Sequence, residues 1–178
     1  MAEELSWTHP IVVADLPEEG IDLEIVPDDE NRAALARHAG VLAVPSLTAR
    51  LDVKPDGRGG VTVEGTLEAT VRQTCVVTLE PFDNAIAQAI SVRFAPAESA
   101  MPERAGAIEA GEDNLPDPLI GGRLDVAAVI AEFLVLAVDP YPRKPGAVFV
   151  PPAAGAAADR PTAFAALAKL KQRADKKG

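Results

Sequence analysis

The chain holds one thiol, Cys75, and two imidazoles, His9 and His38. A nucleophilic cysteine needs a histidine base and surroundings that favour thiolate. Cys75 lies in the run Arg72-Gln73-Thr74-Cys75-Val76-Val77-Thr78-Leu79-Glu80-Pro81-Phe82, at the junction of two strand-like segments. The alternation of the preceding strand places it inward among apolar residues, where a thiol stays protonated. A buried structural thiol is the expectation. Zinc takes about four ligands, so one cysteine with two distant histidines predicts no metal site. His9 reads as a strand residue on the apolar side beside Pro10, and His38 as a cation at a helix end.

The carboxylates Asp125, Glu132 and Asp139 recur every seven residues. Seven residues is close to two helical turns, so the three share one face. They stand too far apart to act as a glycosidase pair on one bond. The alternatives are a solvated face and an acidic docking stripe for a basic protein, with Tyr141 beside it. Gly57-Arg58-Gly59-Gly60 joins two strands and opens no helix, so it lacks the context of a phosphate loop. No aromatic ladder for stacking bases is visible. The residues predict no enzyme, no cofactor and no small-molecule substrate.

The elements that carry these residues read as α+β. Trp7, His9, Ile11 and Val13 alternate as a first strand, and Ile21, Leu23 and Ile25 as a second. A short helix follows. Asp28 is its N-cap, Asp29 and Glu30 suit the positive end of the dipole, Arg37 and His38 the negative end, and Gly40 is the stop. Leu47, Ala49, Leu51 and Val53 alternate with polar residues. After the turn Pro55–Gly60, so do Val61, Val63, Gly65, Leu67, Ala69 and Val71. With the run Phe82, Ile86, Ile90, Val92 and Phe94 this predicts an antiparallel meander near 47–94. Residues 95–122 lack apolar periodicity and read as a mobile acidic loop. Leu124–Ala137 reads as a helix capped by Asp125, with Val126, Val129, Ile130, Phe133 and Ala137 on its core face. Asp139-Pro140-Tyr141-Pro142 ends it. A single domain over 1–150 is expected. A Pro/Ala/Gly linker follows, then a short helix over 161–174 in a basic tail spanning 151–178.

Charge is split along the chain. Residues 143–178 hold 8 Lys+Arg against 2 Asp+Glu, while the remainder holds 9 against 25. An acidic body repels a phosphate backbone and attracts basic partners, and a basic tail does the reverse. Arg143, Lys144, Lys169, Lys171, Arg173, Lys176 and Lys177 are the candidate nucleic-acid contacts. With one cysteine and an acidic N-terminus without an apolar run, a reducing cytoplasm is expected and membrane attachment is not.

The order of these features resembles the YceD-type family of large ribosomal RNA accumulation proteins, in its alphaproteobacterial form. The resemblance rests on Val61–Val71 leading into Gln73, Cys75, Thr78, Leu79, Glu80 and Pro81. An acidic stretch follows, then Asp125–Ala137 and Asp139-Pro140-Tyr141-Pro142-Arg143. It covers about residues 5–150 plus Phe164–Leu167. Many members carry a Cys-x-x-Cys pair; here Thr78 occupies the second position. The resemblance implies a cytosolic, non-enzymatic factor that supports large-subunit ribosomal RNA levels. Joined to the charge split, it implies a basic ribosomal protein or assembly factor as partner. Direct rRNA binding through the tail is the alternative, and a small enzyme the remote one.

Overall fold

The protein is described by a computed structural model, which covers residues 6–97 and 116–149. The chain divides into two units, Met1–Pro145 and Gly146–Gly178. The expected tail helix and the basic residues from Lys169 onward lie outside the described residues.

The described elements are β1 (Pro10–Val12), β2 (Ile21–Ile25), α1 (Asp29–His38), β3 (Ala43–Pro55), β4 (Val61–Thr74), β5 (Pro81–Pro96), β6 (Asp117–Leu119), β7 (Arg123–Asp125) and α2 (Val126–Ala137). One sheet has the order β2-β3-β4-β5-β6, antiparallel except for the β5–β6 pair, and β1 pairs with β7 in a second, two-stranded sheet. This is the expected α+β meander.

Strict period-two alternation is what folds β3 and β4. Val53, Val61, Val63, Leu67 and Val71 reach the core at 1% exposure or less, while Arg50, Glu64, Glu68 and Arg72 face water. A one-residue slip would turn every one of these side chains over, so the register is firmly specified. The turn between them is closed by Asp56, whose carboxylate accepts from the backbone N–H of Arg58 and of Gly60, each at 2.8 Å. At Gly65, opposite Leu51, a Cβ would lie 2.0 Å from the Arg50 carbonyl oxygen. Only glycine lets the two strands approach so closely there.

Helix α1 begins and ends as its sequence dictates. Asp28 accepts from the Asn31 N–H at 2.9 Å, and Gly40 takes φ +66° just past the last turn. It packs on β3. Helix α2 packs on β4 and β5 and touches α1. Its inner side, Val126, Ala127, Ile130, Ala131 and Leu134, closes the core over the sheet.

Three expectations are corrected. The first strand is only Pro10–Val12, and His9 is exposed, not on an apolar side. Proline at its start leaves a three-residue strand with too little length to bury both ends. The stretch 95–122 is not loop throughout. β5 runs to Pro96, Asp117–Leu119 joins its edge in parallel, and Arg123–Asp125 pairs with β1. Residues 98–115 lie outside the described part. Finally, Leu124 and Asp125 belong to β7, and α2 starts at Val126. Three-residue strands carry no readable period; their partners, far away in sequence, hold them.

Candidate functional site

Strand β4 ends at Thr74, and the chain then makes a tight knuckle before β5. The Cys75 N–H donates to the Glu80 carbonyl, and the Leu79 N–H to the Cys75 carbonyl, both at 2.9 Å. Leu79 sits at φ +60°, in the left-handed region that a branched, bulky residue rarely enters. The Cys75 sulfur faces into this turn. It accepts the N–H of Val77 at 3.4 Å and of Thr78 at 3.5 Å. At the knuckle's open end Arg72 clamps Asp83 through two bonds of 2.7 and 2.9 Å, joining β4 to β5.

A second segment, distant in sequence, closes the knuckle. Asp139-Pro140 ends α2, and Asp139–Lys144 then runs along residues 73–80. Gln73, 6% exposed, donates from Nε2 to the Asp139 carbonyl at 2.8 Å and accepts from Asn84 at 3.4 Å. The Val76 N–H donates to the Pro142 carbonyl at 2.9 Å. The Lys144 N–H donates to the Cys75 sulfur at 3.3 Å, and Lys144 Nζ pairs with Glu80 at 2.9 Å. Cys75 is therefore a hub that receives donors from two parts of the chain, at 0% exposure.

This changes the expected state of the thiol. The Thr78 hydroxyl bonded to the sulfur, helped by the backbone N–H of Lys144, Thr78 and Val77, outweighs burial and holds the thiol down at about 7. Burial alone predicted the opposite, because it ignores donors that only the folded knuckle supplies. Thr78, at the position of a second cysteine, serves the first as a hydrogen-bond donor. Among the described residues no group of three or more His, Cys, Asp or Glu is placed to hold a metal.

The acidic positions are used unequally. Asp125 caps α2: its carboxylate accepts from Ala127 N–H at 3.0 Å and from His9 N–H at 2.8 Å. It is half-buried and committed to the fold. Glu132 and Asp139 are exposed, as is Tyr141, whose N–H donates to Asp139 at 2.8 Å. Arg143 is exposed, while Lys144 is engaged with the knuckle. Within the motif, Gln73 and Cys75 are internal, and Thr78, Leu79, Glu80 and Pro81 form its outer surface.

Two features escaped the sequence reading. Helix α2 is apolar on its outer side as well, where Val135 and Leu136 are 40% and 72% exposed. With Leu42, Val76 and Pro140, Val135 edges an open cleft of about 490 Å³ beside the knuckle, lined also by Gln73, Val138 and Asp139. A helix apolar all round, carrying one glutamate, was the available signal. The other feature is on the outer sheet face, where the register sets Asp22 opposite Asp52 and Asp52 opposite Glu64. Lys54 bonds Asp52 within this acidic row.

The chain matches, over residues 63–171, the family described as large ribosomal RNA subunit accumulation protein YceD. It belongs to the YceD family. The match covers more than half of the chain and takes in β4, the knuckle, β5, α2 and the closing segment. No curated protein and no solved structure matches it. YceD proteins are tied by their family description to accumulation of large-subunit ribosomal RNA. No helix among the described residues is long and apolar enough to cross a membrane.

Proposed function

We propose that this YceD protein is a cytoplasmic, non-enzymatic factor that supports large-subunit ribosomal RNA by binding a basic ribosomal protein or assembly factor. The observation that carries this reading is the pair Glu132 and Asp139, both exposed, Glu132 lining a cleft of about 270 Å³ on α2 and Asp139 the cleft of about 490 Å³ beside the knuckle. The acidic balance of residues 1–142, 25 Asp+Glu against 9 Lys+Arg, attracts a basic protein and repels RNA. Cys75 is spent on holding the knuckle, with no histidine among its hydrogen-bond partners, which supports a binding role over catalysis. The test is capture from a ribosome-containing lysate with and without nuclease. Nuclease-resistant capture of one basic protein, with association slowed and less salt-dependent in Glu132→Lys, supports the reading. Nuclease-sensitive capture of rRNA that is lost on removing residues 160–178 favours the second reading, direct rRNA binding by the basic tail. The 8 Lys+Arg of residues 143–178 are what recommend that alternative.

A further inference from the structure

The outer side of α2 presents exposed apolar residues on either side of Glu132. Ala128, Val135 and Leu136 line a small cleft of about 270 Å³ together with Ala131, His38 and Glu132. Val135 is shared with the larger cleft of about 490 Å³, whose other wall is Leu42 and Val76 and whose end is Pro140 and Pro142. Leu42 is 59%, Val76 46% and Leu136 72% exposed. Such a cluster costs solvation in the free protein and marks an interaction surface when it is contiguous. The carboxylates that line the two clefts are Glu132 and Asp139.

We infer that these two clefts form one docking groove for a basic amphipathic helix, whose apolar side chains enter along Val135 and whose Lys or Arg residues meet Glu132 and Asp139. The inference rests on the proposed function and names the chemistry of its partner. Geometry selects a helix. Ala128, Glu132 and Val135 recur at spacings of four and three along α2, and Asp139 follows just past its end. The helical part of that stripe is about 10 Å long. It accepts the i, i+3, i+4, i+7 ridge of about two turns of a helix by helix-in-groove packing. The stripe is side-chain surface on a helix, so it offers no strand edge for an extended peptide to extend. Charge selects the sign. Glu132 lies on the stripe and Asp139 just past its end, and the chain is acidic over residues 1–142, so Lys or Arg flanking the anchors is attracted and acidic helices are repelled.

The experiment uses the full chain and a fluorescent Leu/Lys peptide of about four helical turns, with leucines at i, i+3, i+4 and i+7. Two companions are a Gln/Lys peptide of equal charge and a Leu/Glu peptide of equal apolarity, all followed by fluorescence anisotropy. The Leu/Lys peptide is expected to bind best. The double variant Val135→Ser, Leu136→Ser, and separately Val76→Ser on the facing wall, should each weaken it about tenfold, equivalent to about 1.4 kcal/mol. Ile120→Ser, at a residue 80% exposed and outside both clefts, should leave binding unchanged. Each variant is first shown to unfold at the native urea midpoint. Equal binding of the Gln/Lys peptide, or no loss in the α2 and Val76 variants, overturns the groove. Equal binding of the Leu/Glu peptide overturns the basic partner. Concentration-dependent dimerisation that the double variant abolishes assigns the face to a second copy and overturns the inference. If nuclease-resistant capture of a basic protein persists undiminished in the double variant, the groove fails while the proposed function stands. If the peptide result holds but no basic protein is captured, the proposed function is what fails.

Discussion

Gln73 joins the sheet to the segment that closes the knuckle, and replacing it with methionine isolates that join. Methionine keeps the unbranched shape and nearly the volume, so it removes the amide and leaves little cavity. The bond from Nε2 to the Asp139 carbonyl, 2.8 Å across 66 residues of sequence, is lost, and the longer one from Asn84 goes with it. A hydrogen bond contributes about 0.5–1.5 kcal/mol net, and a buried partner left unsatisfied costs about 1–3 kcal/mol. Asp139 is exposed, so water can reach its carbonyl, and the lower part of that range applies. Burying a thioether where an amide was recovers a few tenths, which leaves a net loss of about 1 kcal/mol. For a chain of this length that is a fall in Tm of about 2–4 °C. The assay is urea and thermal unfolding read by fluorescence of the single tryptophan, Trp7, which is 8% exposed in the folded state. A second readout is local. With the Asp139 anchor gone, Lys144 should leave the Cys75 sulfur more often, and Cys75 should react faster with a thiol reagent under native conditions. Gln73→Met that is as stable as the native protein, with an unchanged rate of Cys75 labelling, would refute the join.

Further outcomes follow from the same geometry. Because the Cys75 thiol is held down at about 7 against about 9 in its ordinary state, the unfolded chain binds more protons between those values. Stability should therefore rise with pH from about 7 to about 9, be lost again as pH falls through the folded value, and show no such slope in Cys75→Ala. Chemical unfolding at a series of pH values measures this. Gly65→Ala drives a Cβ to within 2.0 Å of the Arg50 carbonyl oxygen, which is backbone and cannot rotate away. A loss of about 3 kcal/mol or more is expected in urea unfolding, and a loss under 1 kcal/mol would show that β3 and β4 separate freely. Glu64→Gln relieves the carboxylate set opposite Asp52, so it should stabilise by about 0.2–1 kcal/mol in dilute buffer and by much less in about 1 M salt. Equal stability of the two forms in dilute buffer would mean that Lys54 already neutralises the acidic row.

The sequence alone determined those parts whose cause is local. Alternation over β3 and β4 has period two, and only one register buries Val53, Val63 and Val71 together, so the meander was legible. The caps Asp28 and Asp125 and the stop at Gly40 act within four residues of themselves, so both helices were legible to within two residues. The motif from Gln73 to Pro81 was legible as a unit and pointed to the family. Tertiary structure decided whatever depends on residues far apart. β6 and β7 are too short to show a period and exist because β5 and β1 hold them. The Cys75 thiol is pulled down by Thr78 in its own turn and by Lys144 from beyond α2, and no count along a strand brings Lys144 there. The row Asp22, Asp52 and Glu64 exists only once three strands are in register. The groove along Val135 needs Leu42, Val76 and Pro140 brought to one side of α2, from three separate stretches of chain. Local chemistry fixes elements, because their hydrogen bonds and periods are short-ranged. Sites arise where elements meet, and that meeting is set by the burial of the shared core.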